Sequence, residues 1–295
     1  MRVAQISDLH LSRDHAYFYQ NWRVVLDRVN ETQPDLVVVG GDVSFNGADS
    51  LRDLEFARSE IDRIEAPTVV IPGNHDIGDH PRSRKLDQPV DARRMDRWLD
   101  VFETDRFSVE LDGLRIVGMN TELLGSGLPR EEEQWGWLES ELAPGSAPGV
   151  APGAPRTLFF MHKPLFARSP DEKEFNKSCV DPPSRARLWS LFERATVPTV
   201  ASAHVHVYKH IRARGIDFVW CPATSFVVGW EGKDVFDGIR RAGYIEYDTG
   251  GADDTSPAVS HAWIEPDLLV NYDLRNWFVH HGSTVGLPPL PLASP

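Results

Sequence analysis

The chain has 295 residues, of which 31 are basic and 44 acidic, giving a net charge of −13; this is enough chain for a sizeable core, and its acidity opposes nonspecific attraction to a polyanion such as duplex DNA. Two cysteines, Cys179 and Cys221, are too few for a disulfide framework and fit a reducing compartment. The first residues enter a strand-like run without a signal-type apolar core, and no stretch approaches the roughly 20 apolar residues of a membrane span, so a cytoplasmic protein with no membrane partner is expected.

Val3-Ala4-Gln5-Ile6-Ser7 reads as a buried strand and closes on Asp8-Leu9-His10. Phe18, Trp22, Leu26 and Val29 then recur at helical spacing. Leu36 to Val39 is a second apolar run, ending at Gly41-Asp42, and Leu54, Ala57, Ile61 and Ile64 mark a second helix. Val69-Val70-Ile71 closes on Gly73-Asn74-His75-Asp76, which completes a repeated β-α-β pattern. Gly78 to Arg94 has no apolar periodicity, carries Arg82, Arg84, Lys85, Arg93 and Arg94, and reads as a loop beside the site.

Leu111-Asp112-Gly113-Leu114 signals a tight hairpin, and Glu131 to Leu142 has helical composition. Ala143 to Pro155 is rich in Ala, Pro, Gly and Ser. It resembles a linker, yet the next run, Leu158 to Met161, delivers His162, so a surface loop within one domain is the expectation. Val197-Pro198-Thr199-Val200 precedes His204-Val205-His206, and Val205 to Tyr247 alternates short apolar runs with turns at Arg214-Gly215 and Gly229, as mainly antiparallel strands would. The expected organisation is a catalytic domain over 1–249 with a partly irregular C-terminal extension, 250–295, packed on it.

A single Asp-x-His or His-x-His is more often a turn or a satisfied core histidine, and Asn and Gly after Pro suit turn geometry. Here five strand ends supply Asp8, His10, Asp42, Asn74, His162, His204 and His206, and the first three motifs recur at intervals of one β-α-β unit. Polar groups at the carboxyl ends of strands converge on one crevice in an open α/β sheet. Mixed oxygen and imidazole donors suit Mn, Fe, Zn, Ni or Co better than Ca or Mg. His210, His261, His280 and His281 belong to no such motif and read as surface or satisfied histidines. Cys221 reads as a small buried residue, and Trp135 and Trp137 as packing residues of their helix.

The order Asp-x-His, Gly-Asp, Gly-Asn-His-Asp, a later His and a final His-x-His over residues 8 to 206 resembles the calcineurin-like metallophosphoesterase superfamily. Ile-Ser-Asp-Leu-His-Leu and Ile-Pro-Gly-Asn-His-Asp-Ile are most similar to the bacterial class III cyclic-nucleotide phosphodiesterase and glycerophosphodiesterase branch. Ala203 departs from the pattern, standing where the family has Gly before His-x-His. The resemblance implies a four-layer αββα sandwich, an α/β fold in which two mixed sheets are flanked by helices. It further implies that Asp8, His10 and His206 hold one divalent metal, that Asn74, His162 and His204 hold a second, and that Asp42 bridges them. His75 then faces the substrate and protonates or stabilises the departing oxygen.

Two cations roughly 3.5–4 Å apart clamp the attacking and leaving oxygens of an in-line displacement and lower the pKa of bound water. A carboxylate such as Asp42 spans two cations with its two oxygens, whereas the Asn74 amide ligates without adding charge. Asp76 and Ser7 are candidates for orienting the ligands. The expected function is a binuclear phosphoesterase that hydrolyses a small phosphodiester by attack of a metal-bound hydroxide, with Arg82, Arg84 and Lys85 as candidate substrate anchors. A phosphomonoesterase of the same fold is the enzymatic alternative. A non-catalytic scaffold is the alternative from another class, and retention of every ligand weighs against it.

Overall fold

The computed structural model describes residues 1–83, 88–143, 156–195, 197–228, 236–250, 259–274 and 289–293. The apolar runs become strands of two sheets. In the first, β1 (Arg2–Ile6), β2 (Leu36–Val39) and β3 (Thr68–Val70) lie parallel, and β10 (Tyr244–Asp248) and β11 (Ser260–Ile264) extend the β1 edge antiparallel, in the order β11-β10-β1-β2-β3. In the second, β5 (Leu114–Met119), β6 (Arg156–Met161), β7 (Thr199–Ser202) and β9 (Ile216–Trp220) are parallel, with β4 (Phe107–Leu111) and β8 (Lys209–Ala213) antiparallel at the edges.

Because side chains alternate along a strand, the central strands are apolar on both faces and feed two cores. Ala4, Ile6, Val37 and Val39 face the helices α1 (Tyr19–Thr32), α2 (Leu51–Ile61) and α4 (Ala92–Phe102), where Trp22, Leu54 and Trp98 are fully buried. Val3, Leu36 and Val38 turn the other way and meet Leu158, Phe160 and Ala201 between the sheets. Phe159 and Met161 lie on the outer face of the second sheet against α5 (Pro129–Glu141) and α6 (Pro182–Ala195). Two mixed sheets flanked by helices are thus the observed fold.

Several elements differ in detail from the expectations. Ile64 lies beyond the end of α2, in a turn whose N–H donates to Ile61, and remains buried. Of the basic segment, the described residues 78–83 and 88–90 lie outside helices and strands, but residues 92–94 do not. Asp91 caps α4 by accepting from the Arg94 N–H, so Arg93 and Arg94 are helical, and Met95, Trp98 and Phe102 supply a buried stripe. The hairpins at Asp112-Gly113 and Arg214-Gly215 form with both turn residues at positive φ, but β9 also pairs parallel with β7, so the region after Val205 is not wholly antiparallel. The Gly229 turn and all but Ala143 of the Ala143–Pro155 loop lie outside the described residues. From the C-terminal segment, β11 joins the first sheet and Leu290 bridges to His15.

Candidate metal centre

The site lies where the parallel strands end. Asp8 and His10 follow β1, Asp42 follows β2, and Asn74 opens the single-turn helix α3 (Asn74–Ile77) after β3. His162 follows β6, and His204 and His206 follow β7. Asp8, His10 and His206 bring one ligand atom each to within 4.8 Å of one another, and Asp42, His162 and His204 form a second such group. Asp42 also groups with His10 and His75, so its carboxylate stands between the two sets.

The backbone aims these side chains. Asp8, His10, Asp42, His204 and His206 all have φ between 46° and 69°, a left-handed conformation that costs a non-glycine residue free energy. In Asp8-x-His10 and His204-x-His206, the two left-handed residues bracket one ordinary residue, and their side chains share one ligand set or the adjoining one. Two glycines make room for this convergence. A Cβ on Gly73 would lie 2.3 Å from Asp42 Oδ1 and 2.6 Å from His162 Nε2, and one on Gly41 would lie 2.5 Å from His162 Nδ1. Ala203 needs no positive φ and is buried between the sheets, so the methyl at the departed glycine position is accommodated.

Backbone carbonyls fix three imidazoles. A carbonyl only accepts, so Nδ1 carries the proton in His162 (to Gly40 O, 2.7 Å), His206 (to Phe226 O, 2.8 Å) and His75 (to Phe45 O, 2.8 Å). In the neutral rings each Nε2 is then a bare lone pair. His206 Nε2 faces Asp8 Oδ1 at 3.3 Å and the Nε2 of His10 at 3.4 Å, and His162 Nε2 faces Asp42 Oδ2 at 3.4 Å. Asp8 Oδ1, Asn74 Oδ1 and His162 Nε2 are buried with no hydrogen-bond partner among the described residues. Lone pairs facing lone pairs in a buried pocket require a second proton or a cation between them, so the residues present fit divalent metals.

The electrostatics carry the same demand. Burial opposes charge on His162, yet the Asp42 carboxylate, with Asp8 and Glu122, raises it to about 10. Burial likewise opposes ionisation of Asp42, but His162, His75 and His10 outweigh it and hold the carboxyl well below the ordinary range. His10 moves the other way: burial, then His75, push it well below the usual imidazole value. Without a cation, His162 supplies the positive charge; a cation bound there displaces that proton.

The two orienting residues expected from sequence both act on the Asp42 loop. Ser7 Oγ donates to the Gly41 carbonyl at 3.3 Å. The Asp76 carboxylate accepts from the Gly73 N–H (2.8 Å), the Ser44 N–H (2.9 Å) and the Ser44 hydroxyl (2.6 Å), tying the Asn74 turn to the strand end that carries Asp42. His75 donates its backbone N–H to Asp42 Oδ1 at 2.8 Å, while its ring stands edge-on to His10 at 4.6 Å. The Gly40, Phe45 and Phe226 carbonyls carry no sequence signal, because any residue supplies a carbonyl.

Of the basic residues proposed to meet substrate, Arg82 is exposed with its guanidinium 4.2 Å from the centre of the Phe175 ring. Arg84 and Lys85 lie outside the described residues. Arg94 is withdrawn from solvent and serves the fold, bonding the Ala48 and Pro89 carbonyls, Asp49 and Asp91. His210 pairs with Asp217 at 2.9 Å, whereas His280 and His281 lie outside the described residues. Both cysteines are buried, and burial raises both thiols. Trp135 is a core residue against α6. No helix among the described residues is long and apolar enough to cross a membrane.

The profile of the calcineurin-like phosphoesterase family matches residues 1–208. Among curated relatives, a serine/threonine-protein phosphatase, CPPED1 of Danio rerio, is 30% identical over 72% of this chain and 66% of its own length. A probable glycerophosphodiester phosphodiesterase, GpdQ of Arcobacter nitrofigilis, is 25% identical over 70% of this chain and 72% of its own. The fold is shared with a dimetal phosphatase from Danio rerio, at a TM-score of 0.50 and 13% identity, covering 84% of this chain and 92% of that one. The match thus spans about two thirds of the length of the first relative.

Proposed function

Because the chain belongs to the calcineurin-like phosphoesterase family, a family of metal-dependent hydrolases, we propose that it hydrolyses a small phosphodiester with two divalent cations drawn from Mn, Fe, Zn, Ni and Co. The observation that carries this reading is the pair of ligand groups meeting at Asp42. Asp8, His10 and His206 would hold one cation and Asn74, His162 and His204 the other, and Asp42, whose Oδ2 faces His10 at 3.9 Å and His162 at 3.4 Å, would be shared between them. When bound, the cations supply charge against the phosphoryl oxygens and a water of lowered pKa for in-line attack.

The residues of the chain do the rest. The carbonyls of Gly40 and Phe226 lock His162 and His206 with Nε2 inward, so two donors are set before a cation arrives. The Phe45 carbonyl locks His75 in the same sense, leaving Nε2 as the atom that can hold a proton for the departing oxygen. His75 is not a ligand in this assignment although it neighbours one. Arg82, after α3, is the residue to which this reading gives the substrate anion; its guanidinium lies over the Phe175 ring, 4.2 Å from the ring centre.

The phosphodiester preference draws on the glycerophosphodiesterase relative and on the match of the Asp-x-His and Asn-His runs to that branch. A phosphomonoesterase is the second reading, supported by the phosphatase relative at 30% identity. Protein loaded with Mn2+ should turn over bis-p-nitrophenyl phosphate, cyclic nucleotides or glycerophosphodiesters with higher kcat/KM than p-nitrophenyl phosphate. A consistent preference for monoesters would replace the first reading with the second, and no turnover of any ester by the dimetal form would sink both.

A further inference from the structure

The Asp8, His10 and His206 group is held from outside the 1–208 family match. Ser225 donates its N–H (3.2 Å) and its hydroxyl (2.6 Å) to the Asp8 carbonyl. Phe226 accepts from His206 Nδ1 and lays its ring 4.8 Å from that of His10 and 4.4 Å from that of His206. This stretch follows β9 and has no regular structure of its own, so something else must fix it.

Two supports do so. Asn21 of α1 is fully buried, and its side-chain amide donates to Ser225 O and to Val270 O, both at 2.8 Å, while its Oδ1 accepts from the Val270 N–H at 2.9 Å. One residue on, Val227 donates to Tyr272 O at 2.9 Å and accepts from the Leu274 N–H at 3.0 Å. The second ligand group rests mainly elsewhere, on the Gly40 carbonyl and the Gly73 turn, with one link to the first where the His204 N–H donates to Asp8 Oδ2 at 3.2 Å.

We infer that residues 270–274 of the C-terminal segment, joined through Asn21, form a brace that positions the Asp8/His10/His206 cation site and not the Asn74/His162/His204 site. The inference rests on the two-cation reading proposed above. Partners that orient metal ligands typically contribute 10–100-fold to affinity. Losing the brace should therefore weaken one cation and spare the other.

The test titrates the full-length, metal-stripped protein with Mn2+ and follows bound ion by electron paramagnetic resonance and elemental analysis. Asn21→Asp keeps the acceptor for the Val270 N–H and removes both donated bonds; Leu274→Pro removes one N–H from the partly exposed end of the brace and guards against a folding defect in the first variant. Asp8→Ala and Asn74→Ala provide the signatures of losing each site alone. Both brace variants should bind one Mn2+ as wild type does and the other roughly 10–100-fold more weakly, showing the uncoupled six-line signal that Asp8→Ala shows. Two sites of wild-type affinity, equal weakening of both, or the signature of Asn74→Ala would overturn the brace. A wild type that binds only one ion would instead refute the two-cation reading beneath it.

Discussion

Asp42 stands between the two ligand groups because one of its oxygens, Oδ2, faces both His162 and His10, while Oδ1 accepts from the His75 N–H. Asp42→Ala should lower occupancy of both cations and abolish turnover, as elemental analysis beside an activity assay would reveal. Retention of two ions at wild-type affinity would reject the bridge. His75 makes the opposite prediction. His75→Ala should keep both cations and lose roughly 10²–10⁴-fold in kcat on an alkyl ester such as a glycerophosphodiester, with a smaller loss on an aryl ester whose phenolate leaves unaided. Equal losses on the two esters would assign His75 to charge stabilisation of the phosphoryl oxygens instead. The seven expected ligands and His75 were visible in the sequence, because each belongs to a motif that closes an apolar run. What the sequence could not display is their backbone conformation: nothing in the letters of Asp8-Leu9-His10 says that residues 8 and 10 turn left-handed around Leu9.

At the scale of the element, the strand-to-turn junctions matter more than the helices. The Gly73 turn has no room for a side chain, since a Cβ would press on backbone, on Asp42 and on His162 together. Gly73→Ala should thus weaken metal binding and activity while shifting the melting temperature of the metal-free protein by only a few degrees, since the turn lies at the end of the fold and not in its cores. Calorimetry of the metal-free form against Mn2+ titration separates the two effects; a large stability loss with intact metal affinity would contradict it. Among the elements, α1 and α2 were legible from their apolar spacing, but α4 was not. Its stripe of Met95, Trp98 and Phe102 lies behind a run of basic residues that reads as loop until Asp91 is seen capping it. Likewise, β9 follows a hairpin turn as expected and yet pairs parallel with β7, because the strand order of a sheet is decided by contacts far apart in sequence.

For the molecule as a whole, the β-α-β character followed from alternating helices and apolar strands and the two-sheet sandwich from the family resemblance, whereas the contributions of β11 and of Leu290 rest on pairings that local pattern does not encode. Beside the site, Glu122 is fully buried, and burial raises its carboxyl to about 7 although the Lys163 ammonium lies 2.7 Å away, because Asp79 shares that ammonium. A carboxyl raised in the folded state binds more protons there than in the unfolded chain. Its contribution is therefore fully present below the ordinary value of 4.5 and is lost as pH rises towards 7. The melting temperature of Glu122→Gln minus that of wild type should become more positive across this window in the metal-free protein. A difference independent of pH would show that Glu122 is ionised throughout.

The two ligand groups have one further property with a consequence for the whole chain: each draws from both sheets. Asp8 and His10 leave the first sheet and His206 the second, while Asp42 of the first groups with His162 and His204 of the second. On the proposed reading, a cation bound at either place would be a rivet between the two halves of the sandwich, and its binding free energy would count towards folding. By mass action, each tenfold rise in free cation above the dissociation constant adds about 1.4 kcal/mol of stability per site. On the two-cation reading, the melting temperature of the protein should therefore rise with free Mn2+, and one independent of the cation would contradict it.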